Sequence, residues 1–452
     1  MTNRIQGFLK LKPDEWKLAL SMLLLLAINT LVFELAQVVA TSGFVSSVGA
    51  KQLPWVWIVD MIALLVLGGI YAQMVDRISR AILVGWLMGS FALIYLVIQL
   101  LFSYGAPDWL NYTLLLITSD QQFLVFPLAF WALASDVYSI SQSKRLFPFV
   151  GAGFALGSIS GNGLAASSAA IFARFGGEIY QLLNLAAVIL LVGLAIHYFT
   201  FHQRELRTRK SRDLEIDVRE SIEVGVDFFR NVPFFKYLGI VILLAYLGYT
   251  IIQFHFLNVL DKAFASELGF QSFYGTYKVV LIISTLFVQW VITGRLLQKI
   301  DLKNSFSLFP ISIVMAATSG LVIVGVIGGA IGVFLIELVE RAWDQPARKT
   351  LQGFIPDERR GRVTTFFDSY LLAITTILAS IFLLLLNFGW SYTPWPNSIL
   401  TVVYLSVAVL ASGGAILAAF KARAEYDQSM LNWRLSRRQR KGLTGVMDKL
   451  EF

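Results

Sequence analysis

The sequence predicts an all-α membrane protein of about twelve transmembrane helices in two six-helix halves. Three observations predict it. The chain of 452 residues is 57% apolar and only 15% charged, whereas charged residues make up about a quarter of an ordinary soluble domain. Apolar runs recur along almost its whole length, each long enough to cross a hydrocarbon core of roughly 30 Å as a helix. One long polar stretch, His202 to Pro233, divides six such runs from six more.

Hydrocarbon offers no partner for backbone N–H and C=O groups, so each run must be helical. The expected spans are 16–40, 54–74, 81–104, 109–134, 147–173, 178–200, 234–257, 274–294, 306–327, 329–346, 363–387 and 398–420. The ninth and tenth nearly merge, with Gly325, Gly328 and Gly329 as the turn signal between them. No cleavable signal peptide is expected, because the first run has no small-residue cleavage site ahead of a polar mature domain. With no cysteine and three histidines, neither disulfides nor a metal site are expected.

Charge fixes the orientation. Arg4, Lys10, Lys12 and Lys17 precede the first span, and Arg204, Arg207, Arg209, Lys210, Arg212 and Arg219 follow the sixth. Arg295, Lys299 and Lys303 follow the eighth, and Arg434, Arg437, Arg438, Arg440 and Lys441 lie in the tail. The opposite loops offer Lys51, Arg174 and Lys262. The positive-inside rule then places both termini in the cytoplasm of a bacterial inner membrane. The net charge of +8 is thereby a matter of topology, and nucleic acid is not an expected partner.

Within 202–233, Val218, Ile222, Val226 and Phe229 recur at three- and four-residue spacing among charges, the pattern of an amphipathic helix lying on the inner surface. The expected organisation is a bundle over 1–201, this linker over 202–233, a second bundle over 234–420, and a basic tail over 421–452 that can dock anionic lipid or a soluble partner. A linked pair of bundles is the layout of a major-facilitator-type transporter. The halves echo each other in short charged turns, Asp76-Arg77-Ile78-Ser79-Arg80 after the second span and Gly294-Arg295 with Lys299 and Asp301 after the eighth.

Ionisable groups at membrane depth are expensive and mark functional sites by default. The candidates for substrate binding or coupling are Glu34 and Gln37 in the first span, Asp60 in the second, Asp120 and Gln121 in the fourth, and Lys278 in the eighth. Glu337, Glu340, Arg341 and Asp344 join them from the tenth. The last four are spaced to share one helical face, which looks into a cavity or closes an internal ion pair. Desolvation favours the protonated form of a carboxylate, so Asp120 or Glu34 can take up and release a proton during transport. Lys278 either partners an anionic substrate or snorkels to the outer interface. His197, His255 and Asn258 read as packing or interfacial residues, and Trp55, Trp57, Trp109, Trp390 and Trp395 as an aromatic belt. Candidates for a cytoplasmic gate are Asp76, Arg77, Arg80, Asp136, Lys144, Arg145, Arg359, Arg360 and Arg362.

Gly153, Gly157 and Gly161 are spaced by four within the fifth span. This permits close helix approach and is no phosphate loop, since no strand precedes it. No Walker sequence, metal-ligand spacing or nucleophile elbow is present, so an enzyme is not expected, nor any cofactor.

Two segments carry a family resemblance. The first runs Phe130-Trp131-Ala132-Leu133-Ala134-Ser135-Asp136, then Lys144-Arg145-Leu146-Phe147-Pro148, then Gly151-Ala152-Gly153 and Gly157-Ser158-Ile159-Ser160-Gly161. The second runs Pro346-Ala347-Arg348-Lys349, then Ile355-Pro356-Asp357-Glu358-Arg359-Arg360-Gly361-Arg362, then Asp368. Together they resemble the non-mitochondrial ATP/ADP carrier family and its free-living bacterial relatives. The resemblance implies a secondary transporter that works by alternating access, exchanges nucleotides or another polar, anionic metabolite, and hydrolyses nothing. The family's exchangers carry a basic-acidic Arg-x-x-Lys-Asp cluster in the first span. Here the corresponding stretch is Val32-Phe33-Glu34-Leu35-Ala36-Gln37-Val38-Val39, without a cation to meet phosphate. A carrier of a cationic, zwitterionic or lipid-like solute, or a non-transporting scaffold, are the other readings.

Overall fold

A computed structural model describes residues 15–75, 78–202, 218–293, 301–352, 355 and 362–447. Among the described residues there is no strand. The first six spans are α1 (Trp16–Ser47), α2 (Leu53–Val75), α3 (Arg80–Ser103), α4 (Asp108–Val137), α5 (Ile140–Phe175) and α6 (Leu182–Phe201). The linker helix is α7 (Val218–Asn231). Then come α8 (Pro233–Ala263), α9 (Glu267–Val288), α10 (Leu308–Val322), α11 (Val326–Val339), α12 (Gln345–Gln352), α13 (Leu371–Trp390) and α14 (Asn397–Met447).

Among the described residues, eleven helices are long and apolar enough to cross a membrane. The tenth expected span is helical but interrupted. The α-helix stops at Val339, a π-helical turn spans Glu340–Asp344, and the α-helix resumes at Gln345. Its charged residues sit at and beside that turn. The break from the ninth span falls at Gly325, whose φ of 100° lies in the region that glycine enters without a side-chain clash.

Packing divides the chain into two compact units, one of 1–215 with 257–286 and the other of 216–256 with 287–452. In the first, α1 is central and packs on α4, α5 and α6. The closest approach is α1 on α5. A Cβ at Gly153, Gly157 or Gly161 would lie 2.4 Å from the carbonyl oxygen of Leu23, Ala27 or Leu31 respectively. Two four-residue stripes thus face each other backbone to backbone, as the spacing predicts. The C-terminal end of α8 and most of α9 also pack in this unit. Asp261 accepts a hydrogen bond from the Ala50 N–H at 3.0 Å, Tyr112 donates to Glu267 at 2.8 Å, and Gln271 donates to the Ala165 carbonyl at 2.9 Å.

In the second unit α10 packs on α11 and α14. The linker helix lies against a π-helical turn over Phe366–Tyr370. Gly225 makes room there, since a Cβ would fall 2.2 Å from the Phe366 ring. Glu223, Asp227 and Arg230 stay exposed while Val226 and Phe229 are half-buried. The expected tail begins as a continuation of α14, one helix of 51 residues, tied back by a Lys303–Asp427 ion pair of 2.8 Å. Its basic residues from 434 to 441 lie on this helix.

Candidate functional site

Three consecutive residues of α4 organise the polar interior of the first unit. Successive side chains on a helix diverge by about 100°, so a run of three reaches three directions. Asp120 accepts from Gln37 Nε2 of α1 at 2.8 Å. Gln121 Nε2 donates to Asp60 Oδ1 of α2 at 2.9 Å. Gln122 Nε2 donates to Asn29 Oδ1 of α1 at 2.9 Å, and its carbonyl accepts from the Tyr95 hydroxyl of α3. Asp60 and Asp120 lie within electrostatic reach of each other, and the Lys278 ammonium lies within reach of Asp120. Lys278 is buried, 6% exposed, with its ammonium 5.6 Å from the Tyr274 ring centroid. The structure therefore brings together, from four helices, Gln37, Asp60, Asp120, Gln121 and Lys278 of the list read from sequence.

Glu34 goes elsewhere. Its carboxylate accepts from Ser158 and from Asn162, both on α5 and both at 3.0 Å. It sits at the end of the glycine contact, where Gly161 faces Leu31 and Glu34 Cβ. Neighbouring turns of α1 thus serve different purposes. Gln37 joins the α4 cluster, while Glu34 ties α1 to α5.

The second unit holds a separate charge network around the π-helical turn. Glu337 accepts from Gln253 of α8 at 2.8 Å and pairs with Arg341 at 2.9 Å. Glu340 accepts from the Tyr246 hydroxyl at 2.8 Å. Asp344 pairs with Arg348 at 2.9 Å, and Arg348 also reaches Tyr246 at 2.7 Å and Asp368 at 3.4 Å. A π turn leaves backbone carbonyls without their usual helical partners. Side chains of another π-helical segment, Gln289–Thr293, supply replacements. Gln289 donates to the Arg341 carbonyl at 3.0 Å, and Thr293 donates to that of Ala342 at 2.7 Å. Beside this network lies a small cleft bordered by Phe235, Leu238, Ile242, Leu351, Arg348 and Asp368.

Sequence reasoning missed four members of this network as site residues: Tyr246, Gln253, Arg348 and Asp368. Arg348 carried a readable signal, since it lies four after Asp344 and so continues its face. Asp368 carried only its place in the second family-like segment. Tyr246 and Gln253 are neutral polar residues in an apolar run and carried none.

Of the residues read as a cytoplasmic gate, Arg80 pairs with Asp136 at 2.6 Å. Arg145 pairs with Glu15 at 3.0 Å, and Gln142 donates to the same carboxylate at 3.0 Å. Glu15 was not singled out in the sequence. Lys144 is exposed and Arg362 half-buried. Asp76, Arg77, Arg359 and Arg360 lie outside the described residues, as do Arg295 and Lys299 of the second charged turn. His197 and His255 pack. His255 bonds the Tyr404 hydroxyl at 2.8 Å, and His197 lies buried against Phe201.

The family model described as TLC ATP/ADP transporter matches residues 108–329. Over those residues the chain is similar to the TLC ATP/ADP transporters. Their match spans the polar step of α4, the glycine stripe of α5 and Lys278. The solved structures similar to this chain are facilitator-type transporters. The nucleoside transporter NupG is 13% identical with a TM-score of 0.65, over 90% of this chain and 99% of that one. A bacterial homologue of the iron transporter ferroportin in an inward-facing state is 14% identical with a TM-score of 0.59, over 90% and 98%. A POT family transporter in complex with 5-aminolevulinic acid is 14% identical with a TM-score of 0.57, over 88% and 96%. At such identity these structures share the fold alone. None of the curated proteins matches the chain. The family match over 108–329 and the shared fold together support a secondary transporter with a multi-pass membrane fold.

Proposed function

We propose that the chain carries a small polar solute by alternating access, and that the α4 cluster is where solute or coupling ion is taken up. One observation carries the reading. Asp120, Gln121 and Gln122 draw α1, α2 and α3 together around two mutually interacting carboxylates at membrane depth. Buried polar groups are costly there and persist where a pathway needs them. Glu34 is satisfied within a helix contact and is better suited to packing than to coupling. The ion pairs Arg80–Asp136 and Arg145–Glu15, at the helix ends that the basic loops place in the cytoplasm, serve as gate contacts that break as the carrier opens inward. Both termini face the cytoplasm of a bacterial inner membrane in this reading, and the tail helix meets anionic headgroups or a soluble partner.

A second reading is nucleotide exchange, which the family match favours. Purified protein in liposomes preloaded with ADP is the test. Uptake of labelled ATP that depends on internal ADP supports exchange. A stabilisation screen against metabolites, followed by uptake of whatever stabilises, tests the broader reading. No stabilisation by any solute and no uptake, with another chain co-purifying, points to a scaffold instead.

A further inference from the structure

Charge accounting within each unit narrows the solute. In the second unit two cations among the described residues, Arg341 and Arg348, are already engaged. Arg341 is held by Glu337, and Arg348 by Asp344, Asp368 and Tyr246. Glu340, 9% exposed, is held by the neutral donors Tyr246 and Gln345. In the first unit Glu34, Asp60 and Asp120 face neutral donors from Ser158, Asn162, Gln121 and Gln37. Lys278 is the one cation whose charge reaches Asp120 among the described residues. Among the described residues, the buried cations are Lys278 and Arg348, and both lie within reach of carboxylates.

A second observation concerns hydrogen bonding. Gln121 is 3% exposed, and its amide nitrogen is spent on Asp60. Its carbonyl oxygen is buried with no hydrogen-bond partner among the described residues. An orphaned acceptor thus lies next to two carboxylates. That acceptor is unmet, and a solute that brings donors can meet it. A protonated amine brings N–H donors together with a positive charge and no acceptor. A nucleotide phosphate brings further acceptors and further negative charge. Asp120 is half-buried, whereas Asp60 and Gln121 are buried, so a solute arrives through Asp120.

Resting on the carrier reading above, we infer that the solute bears a protonated amine, received by Asp120 with Asp60 and Gln121 behind it. Lys278 is the internal cation that neutralises this site when it is empty. The solute amine and Lys278 then compete for the same carboxylate. This gives the substitution of Lys278 a sign that depends on the class of solute. Removing a competing positive charge strengthens binding of a cation, whereas removing an attracting one weakens binding of an anion.

The experiment is equilibrium binding and thermal stabilisation of the full chain in lipid nanodiscs. The probes are monoamines, diamines, guanidines and zwitterionic amino acids, each beside its uncharged N-acetyl counterpart, with ADP and ATP as anionic comparators. The expected result is stabilisation by one or more amines and by none of their acetylated forms. Lys278→Gln tightens that amine by about tenfold, Asp120→Asn weakens it by about tenfold or more, and Asp120→Glu restores part of the loss. Stabilisation by ADP or ATP that weakens in Lys278→Gln overturns the inference, as does the absence of stabilisation by every amine tested. Thermal melts of each variant without solute separate a folding defect from a binding defect. Amine binding of the expected sign without uptake into liposomes sinks the carrier reading and leaves the assignment of the site standing.

Discussion

Arg348 donates to the hydroxyl of Tyr246 at 2.7 Å, across 102 positions of sequence. The same hydroxyl donates to Glu340, so a single phenol joins residues at the start and just beyond the end of the π-helical turn. Arg348 meanwhile neutralises Asp344 from four residues away. Both members of that pair are over nine-tenths buried. Substituting Arg348→Met leaves Asp344 charged and without its cation in a dry site, which costs about 3–5 kcal/mol. Tyr246→Phe removes one acceptor and one donor and costs about 1–3 kcal/mol. Thermal melts in detergent check the order. Arg348→Met falls well below Tyr246→Phe, and equal melting temperatures would show that the ion pair adds nothing beyond the phenol.

The glycine stripe gives a prediction with its own control. Gly157 faces the Ala27 carbonyl and Gly163 faces open space. In Gly157→Ala the new methyl group meets backbone that cannot rotate away, so α1 and α5 must separate and the Glu34 contacts with them. In Gly163→Ala nothing is displaced, and replacing a helical glycine stabilises by about 0.5–1 kcal/mol. Melting temperatures of the two variants should therefore move in opposite directions. A shared direction would mean that the close contact does not govern stability.

Glu34 and Asp120 are both buried or half-buried carboxylates of the first unit, yet the structure gives them different surroundings. Glu34→Gln keeps an acceptor for Ser158 or Asn162 and should lower stability while leaving the pH dependence of transport as it was. Asp120→Asn should flatten that pH dependence, since it removes a titrating group from a cluster that also holds Asp60. Uptake in proteoliposomes at two external pH values checks both variants. Unchanged pH dependence in Asp120→Asn removes it from coupling.

These contrasts show what was legible in the sequence and what was not. Apolar run length and loop charge are local properties, and they located the helices to within a few residues at most boundaries. The tenth span was less legible because its charges and its π turn are one feature, and hydropathy reads only the first. Single costly residues such as Asp60, Asp120 and Lys278 announced themselves by type. Their partners did not, because a hydrogen bond between Gln37 and Asp120 spans 83 positions and leaves no periodic trace. Glu34 and Asp120 looked alike in sequence. Only the packing of Gly161 beside Glu34 tells a helix tie from a cluster member.

The packing of residues 257–286 leads to a last prediction. By sequence order this segment follows the linker, yet it packs within the first unit. Asp261 holds the Ala50 N–H, Glu267 holds Tyr112, and Gln271 holds Ala165 and Ser168. The ties are hydrogen bonds between carboxylate or amide and neutral groups, each worth about 0.5–3 kcal/mol, so a carrier can break them in every cycle. The chain has no cysteine, and Ala50→Cys with Asp261→Cys therefore gives an unambiguous pair. Joining the two by a short, reducible thiol cross-linker should stop turnover, and reduction should restore it, with either single variant unaffected by the reagent. Full transport by the cross-linked protein would show that this segment stays with the first unit throughout the cycle. The moving boundary would then lie inside α8 and α9 near residues 256 and 287, where the packing units divide, and not at the linker.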